Sequence, residues 1–389
     1  MPKNILIINS SAENNQPLFN LFEELKQRGH LLYLLSASSD LLNYFNEKRW
    51  PAEKTYFGPK LNSRFNQMIF FVLLPVLFLL SAAILLYYKK SKKITTAICL
   101  NWNEKIIIAP IAKILKIKTI WLERPDLDYK LLRKPLFQFY KLLSKRATLI
   151  TFTNLAKIQL KNFGFNENNI KTISPGIRLN QWKYQDTIFD KLAQTDKHSR
   201  KRKYFAIGTV ADLNPENSGQ KIKNLLEVIK VCLTIIPDLQ LIVVGGGAKR
   251  KNLIWLAKKM EIDNLVWFVG EPDSPSQGEH AHLKKWLDNF DIFVVSGEIP
   301  GLTAFEICLN AMAAGLPVIG PGGLGFEDMI HNRQNGILVE ANNNEMLARQ
   351  IIALYKNKRL RLELGENARK MAGEHFTIDK MAEEFEKII

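Results

Sequence analysis

Short runs of β-branched and aliphatic residues recur along the chain, separated by stretches whose apolar positions fall three and four apart. The first pattern predicts buried strands and the second predicts amphipathic helices. Ile5–Ile8, Leu31–Leu35, Ile98–Leu100, Lys118–Leu122, Thr148–Phe152 and Thr172–Ser174 form one series of strands, with helices such as 17–28 and 135–146 between them. Ala206–Val210, Gln240–Val244, Val266–Val269, Ile292–Val295, Pro317–Ile319 and Gly336–Val339 form a second. Such alternation implies parallel βαβ units, so the expected fold class is α/β, with two doubly wound domains facing each other across a cleft. Residues 180–203 are polar, lack strand periodicity and end in a basic run, which marks a connector. The first domain is expected at 1–190 and the second at 204–375, with a last helix over 376–389 packing back on the first.

One stretch interrupts the alternation. Met68 to Tyr88 is a run of 21 residues without a charge, and as a helix of about 31 Å it would match the hydrocarbon thickness of a bilayer. Arg64 precedes it, Lys89, Lys90, Lys92 and Lys93 follow, and Tyr87 and Tyr88 sit where an interfacial aromatic belt would fall. A true span conflicts with the strands: 4–8 and 97–100 read as members of one sheet, and a spanning helix would put them on opposite sides. Pro75 is expected to divide the run into two short helices lying in, or dipping into, one leaflet. A fully buried core helix is the alternative.

Charge bears on that choice. The net charge of the 389-residue chain is +16, yet residues 1–200 carry 31 basic and 14 acidic side chains while residues 201–389 carry 23 and 24. A basic half suits nucleic acid or an anionic membrane surface, and the apolar run beside four lysines favours the membrane and no nucleic acid. The first apolar run, Ile5 to Ile8, is too short for a signal peptide, so the expected place is the cytoplasm, peripheral or monotopic at the inner face of the cell membrane. Apolar residues make up 47 % and charged residues 24 %, a globular balance that argues against disorder. Cys99, Cys232 and Cys308 lie far apart, which excludes a disulfide scaffold and a zinc ribbon.

The densest chemical signal is Ser296-Gly-Glu-Ile-Pro-Gly-Leu-Thr-Ala-Phe-Glu306, directly after a predicted strand. A glycine-containing turn into a helix presents free backbone N–H groups near Gly301, Leu302 and Thr303, where a phosphate is stabilised. Glu298 and Glu306 would not hold phosphate, but carboxylates accept hydrogen bonds from sugar hydroxyls. The pattern suits a ligand with both groups. Thr303-Ala-Phe-Glu306 equally fits a capping box, in which Glu306 only satisfies a backbone N–H.

At these residues the sequence resembles the family 4 type of glycosyltransferases with the GT-B fold of two Rossmann-like domains. That family's signature is a Glu-x7-Glu pair running into Glu-Ala-Met-Ala-x-Gly-x-Pro-Val, and here the continuation is Glu306-Ile-Cys-Leu-Asn-Ala-Met-Ala-Ala-Gly-Leu-Pro-Val318. The likeness extends to Gly322-Gly323, Glu327, Asn335 to Val339, Leu241 to Gly247, Val266 to Gly270, and Leu25 to His30. The resemblance implies a retaining, metal-independent transferase. Glu306 would bind the ribose of a UDP- or GDP-linked sugar, Glu298 the transferred sugar, the amides at 301–303 the diphosphate, and Phe268 to Gly270 the base. Lys221, with Lys223 close behind, would supply the cation at the leaving phosphates; apart from the resemblance, Gly246 lies in the run Gly245 to Lys251 after a strand, which suits phosphate contact or equally a basic helix start on a solvated face. Asp212 stands where the family has an arginine. Arg124 stands at about the place of the family's cleft histidine, and Arg124 and nearby Asp126 are candidates there, with ordinary surface charges the alternative.

Other motifs are weaker. Gly320-Pro-Gly-Gly-Leu-Gly325 satisfies a dinucleotide fingerprint, but about ten residues before the next strand leave no room for a crossover helix. Asp126-Leu-Asp128 is a chance-level match to a metal-binding motif, and His280-Ala-His282 lacks a third ligand, so no metal is expected. The expected function is sugar transfer from a nucleotide-sugar to a lipid-linked or glycan acceptor at the membrane, with no cofactor. The alternative is a catalytically impaired nucleotide-sugar-binding or scaffold protein of the same fold.

Overall fold

The computed structural model describes residues 2–10, 16–123, 136–179, 182, 204–214, 216–270, 279–296 and 301–389. Its packing divides the chain into two units, Met1–Pro175 with Ile378–Ile389, and Gly176–Thr377. In the first unit the order is β1 (Asn4–Asn9), α1 (Phe19–Gln27), β2 (Leu31–Ser36), α2 (Ser39–Glu47), β3 (Ala52–Lys54), α3 (Arg64–Ser91) and β4 (Thr96–Cys99). It continues through α4 (Trp102–Ile114), β5 (Lys118–Glu123), α5 (Leu136–Ser144), β6 (Thr148–Thr151), α6 (Asn154–Asn162) and β7 (Ile170–Thr172). The seven strands form one parallel sheet in the order β3-β2-β1-β4-β5-β6-β7.

The second unit contains β8 (Phe205–Val210), α7 (Glu216–Cys232), β9 (Leu239–Val244), α8 (Arg250–Lys259), β10 (Val266–Gly270), α9 (Glu279–Leu287) and β11 (Ile292–Val294). After these come α10 (Leu302–Ala313), β12 (Val318–Gly322), β13 (Ile337–Glu340), α11 (Asn344–Lys356) and α12 (Lys358–His375), while α13 (Ile378–Glu386) returns to the first unit. Its six-stranded parallel sheet runs β10-β9-β8-β11-β12-β13. Each sheet reverses its direction of winding once, between β1 and β4 and between β8 and β11. Ligands of doubly wound sheets bind outside the carboxyl ends of the strands at such a reversal.

Four features differ from the sequence expectation. The strand Ala52–Lys54 was not expected, because it is short, charged and on an edge, and only its pairing with Leu34–Ser36 defines it. Pro75 does not divide the apolar run: α3 is one helix from Arg64 to Ser91. A proline removes one N–H bond, and packing of Phe70, Leu77, Leu85 and Tyr88 into the core offsets that loss along the rest of the helix. The helix is not fully buried either, since only 22 % of its most apolar 18-residue window is covered. Lastly, the units divide at 175/176 rather than inside the connector. The Ile177 N–H donates to the Phe376 carbonyl at 2.9 Å and Trp182 Nε1 to Asn310 Oδ1 at 3.3 Å, which ties 177–182 to the second unit.

The last helix, α13, is fastened to α1. Arg28 reaches Glu386 at 3.1 Å and Asp379 at 3.5 Å. His30 Nδ1 accepts the Lys3 N–H at 3.1 Å, so its proton is on Nε2 and is donated to Glu386 Oε1 at 2.8 Å.

Candidate active site

The second sheet's reversal is built from the ends of β8 and β11. Ser296, two residues past β11, donates its hydroxyl to the Val210 carbonyl at 3.1 Å and joins the two strand ends. A cavity of about 80 Å³ opens beside Ser296, past the ends of β11, β12 and β13, lined by Ser296, Lys221, Asn224, Gly320, Glu340 and Asn343 among others. Lys221 is half-buried on α7 and turns into this recess. Lys223, two residues later on the same helix, is exposed and does not line it. Helical phase thus separates two lysines that the sequence left adjacent.

The chain then enters α10 through Gly301, whose φ of +67° and ψ of −142° lie in a region that side chains disfavour. Glycine as the cap leaves the first-turn N–H groups without a side-chain acceptor from that position. The position of the cap excludes the capping-box reading. Thr303 is the second residue of the helix, not its cap, and Glu306 is the fifth.

All of α10 from Leu302 to Ala313 is buried except Thr303 and Glu306. These two lie three residues apart, on one face, in the first turn and a half. Glu306 is held in place from behind: its backbone carbonyl accepts from Asn310 Nδ2 at 2.9 Å, and Asn310 is itself bonded to Trp182. Cys308 cannot serve as a nucleophile on this helix, because burial pushes its thiol up to about 12.

A second group sits at the ends of β9 and β10. The Leu213 N–H donates to the Gly246 carbonyl at 2.9 Å, and the Gly245 N–H donates to the Gly270 carbonyl at 2.9 Å. Glycine is required at 245, where φ is +139° and a Cβ would lie 1.9 Å from the Ala211 carbonyl oxygen. The Phe268 ring packs against the unit's core, and its carbonyl accepts from Arg250 at 2.8 Å. Gly246, Phe268 and Gly270 therefore line one loop cluster, joined through residues 211–213 and Val210 to Ser296.

Among the remaining sequence candidates, Glu298, Arg124 and Asp126 lie outside the described residues. Asp212 accepts the Asn214 N–H at 2.9 Å and so shapes a turn. The glycine run at 320–325 behaves unlike a dinucleotide loop. Gly320 and Gly322 belong to β12, and the N–H groups of Gly323 and Gly325 donate to the Glu327 carboxylate, the latter at 3.0 Å. Sequence reasoning gave no role to Ser296 or Asn310, although Ser296 directly follows the β11 strand. Among the described residues no cluster of three or more His, Cys, Asp or Glu could hold a metal ion.

Residues 190–371 match the model of the family described as "Glycosyl transferases group 1". An uncharacterized glycosyltransferase of Haemophilus influenzae is 29 % identical over 166 residues, 42 % of this chain and 44 % of that protein. N-acetyl-alpha-D-glucosaminyl L-malate synthase of Bacillus anthracis is 28 % identical over 171 residues, 43 % of this chain and 42 % of the enzyme. The chain thus matches less than half the length of these curated relatives. Among solved structures, Anabaena HepE in complex with UDP superposes with a TM-score of 0.76 at 16 % identity, covering 99 % of this chain and 98 % of that one. That likeness shows the fold, which is GT-B.

Proposed function

We propose that the group 1 glycosyl transferase domain carried at residues 190–371 makes this chain a retaining transferase. It moves a sugar from a UDP- or GDP-linked donor to a glycolipid or envelope-polysaccharide acceptor at the inner face of the cell membrane. The observation that carries the reading is the window of Thr303 and Glu306 on the otherwise buried α10, the helix that follows Ser296, which with Lys221 lines a recess past the strand ends.

The chemistry follows from the groups present. A diphosphate seats its oxygens on the first-turn amides of α10, where the helix dipole stabilises negative charge. Lys221 supplies positive charge as the nucleoside diphosphate leaves. The Glu306 carboxylate accepts hydrogen bonds from vicinal ribose hydroxyls, which a phosphate could not offer it. Gly246 and Gly270 leave room for the nucleotide beside the sheet edge, and the resemblance assigns Glu298 to the transferred sugar. Such stabilisation by fixed dipoles and a lysine needs neither a metal nor a cofactor. The bound UDP of the HepE structure supports the choice of donor.

The second reading is a chain that binds the donor without turnover. It is favoured by Asp212, which builds a turn where the resembled family places an arginine. Calorimetric titration with UDP-, GDP- and ADP-sugars, together with radiolabel transfer into a membrane extract, separates the two. One sugar nucleotide is expected to bind, and Glu306→Gln should weaken it about tenfold or more. Turnover by the wild type but not by Glu298→Ala supports the transferase. Binding without turnover supports the second reading, and no binding by any sugar nucleotide overturns both.

A further inference from the structure

We propose that α3 lies parallel to an anionic bilayer and sinks its outer face into one leaflet, holding the first unit on the membrane without crossing it. The helix is about 42 Å long and has two unlike sides. Gln67, Phe70, Leu77, Ser81, Leu85 and Tyr88 form the inner stripe and are buried against the unit. The loop at Phe57–Leu61 locks that stripe. Asn103 Nδ2 donates to the carbonyls of Phe57 and Pro59, both at 2.9 Å, while a Cβ on Gly58 would lie 2.9 Å from the Phe70 ring. The outer stripe is apolar and open: Met68 is 59 % exposed, Val72 75 %, Val76 56 %, Leu79 70 % and Tyr87 56 %. These positions recur at spacings of four, four, three and eight, which keeps them on one side of the helix.

An open apolar stripe alone does not name its occupant; the charges around it do. No Asp or Glu occurs between Glu53 and Glu104, whereas Lys54, Lys60, Arg64, Lys89, Lys90, Lys92 and Lys93 all fall in that interval. They bracket the stripe at both ends and leave its middle uncharged. The C-terminal end is widened by α4, where exposed Lys113 and Lys116 flank Ile114, itself 75 % exposed. Lys89 donates to the Leu115 carbonyl and joins the two helix ends. An apolar strip between cation clusters complements acyl chains below and anionic headgroups above.

A span is excluded by what the inner stripe touches. The strands on either side of α3 in sequence, β3 and β4, belong to one sheet, and α3 packs beside α4. Crossing the bilayer would carry this polar-edged unit into hydrocarbon.

This inference deepens the membrane-borne acceptor of the proposed function, but its test needs no sugar transfer. Full-length protein is floated with vesicles of phosphatidylcholine alone or with about 30 % phosphatidylglycerol. Wild type is expected to float with the anionic vesicles. Val76→Glu/Leu79→Glu, at exposed positions, should lose about tenfold or more in partitioning with an unchanged melting temperature. Lys90→Gln and Lys92→Gln should each lose about fivefold on anionic vesicles and little on neutral ones. The tryptophans of Val72→Trp and Leu79→Trp should be quenched alike by brominated acyl chains at one shallow depth.

Wild type that stays in solution overturns the proposal, as do glutamate variants that float unchanged or quenching at the bilayer midplane. A dimer in sedimentation equilibrium that these glutamates dissociate, without vesicle binding, gives the stripe to a second copy and overturns it too. Donor binding retained by Val76→Glu/Leu79→Glu keeps the failure of this proposal apart from failure of the transferase reading.

Discussion

Lys105 is fully buried on α4, with Nζ 3.1 Å from Glu123 Oε2 at the end of β5 and 2.7 Å from the Leu122 carbonyl. The Tyr140 hydroxyl donates to the same carboxylate, at 2.9 and 3.2 Å from its two oxygens. Lys105→Met keeps the apolar stem and its volume, so the change is almost purely one of charge. Removing one partner of a buried pair typically costs about 3–5 kcal/mol, because the remaining charge stays desolvated. The Tyr140 hydroxyl remains on the carboxylate, which points to the lower end, about 3 kcal/mol. Adding Glu123→Gln removes the stranded charge while leaving Tyr140 an acceptor. The double variant should therefore recover about 2 kcal/mol of the loss.

Two units make global unfolding a poor measure of this change. Amide hydrogen exchange followed by mass spectrometry on the peptide covering 118–123 reads the opening of β5 directly. Exchange in Lys105→Met should accelerate by about two orders of magnitude at neutral pH, and the double variant should return most of the way. A single variant within about 1 kcal/mol of wild type, or a double variant worse than the single, would refute the reasoning.

Two further outcomes follow from groups outside that pair. Glu327→Ala strips the carboxylate from the N–H groups of Gly323 and Gly325; it should destabilise the loop by about 2 kcal/mol, seen as faster exchange at 320–328, while Glu327→Gln costs less. The Glu386 carboxyl is held below the usual carboxylate range, first by its hydrogen bond from His30 and then by Arg28, against a partial burial that acts the other way. A depressed acid stabilises the fold above its unfolded pKa of about 4.3 and loses that contribution as pH falls through the folded value. Protection of α13 should therefore fade below about pH 4, and Glu386→Gln should weaken it at neutral pH and flatten the acid dependence.

The alternation of strands and helices was legible because most strands of these parallel sheets are buried on both faces, so their apolar runs stand out without context. What escaped was decided by neighbours rather than by local pattern. Ala52–Lys54 has no apolar run of its own and exists through its partner strand. The continuity of α3 through Pro75 depends on an inner stripe packed on Gly58, in a loop that Asn103 holds from elsewhere in the chain. Lys105 opens an isoleucine-rich run, yet nothing in the sequence connects it to Glu123 and Tyr140. At the site, the helix that carries Glu306 after a strand was legible from the pattern, but not which of its residues would stay uncovered. The capping box that shadowed Glu306 was a false match, since Gly301, with its positive φ, starts the helix two residues before Thr303. Lys221 and Lys223 could be told apart only once the phase of α7 was known.

Among the described residues of the second sheet's carboxyl edge, two turns present amides to an anion, and they are not equivalent. At the end of β12 the amides of Gly323 and Gly325 already hold a carboxylate from four and two residues on, so that turn is filled by the chain itself. At the end of β11 the helix begins on a glycine that has no side chain to offer its own amides. A serine, a threonine or an aspartate at 301 would satisfy them and close the position, and the same φ that excludes those residues keeps it open. Thr303 and Glu306, the two partly exposed residues of α10, lie in the first turn and a half after that glycine, and Lys221 shares with Ser296 the cavity past the ends of β11, β12 and β13. On the proposed reading a diphosphate would meet a carboxylate already seated at the β12 turn and, at the start of α10, a cap with no side chain to compete with it. Gly301→Ser should therefore weaken sugar-nucleotide binding about tenfold in calorimetric titration, and a variant that binds as the wild type does would refute the role given to these amides.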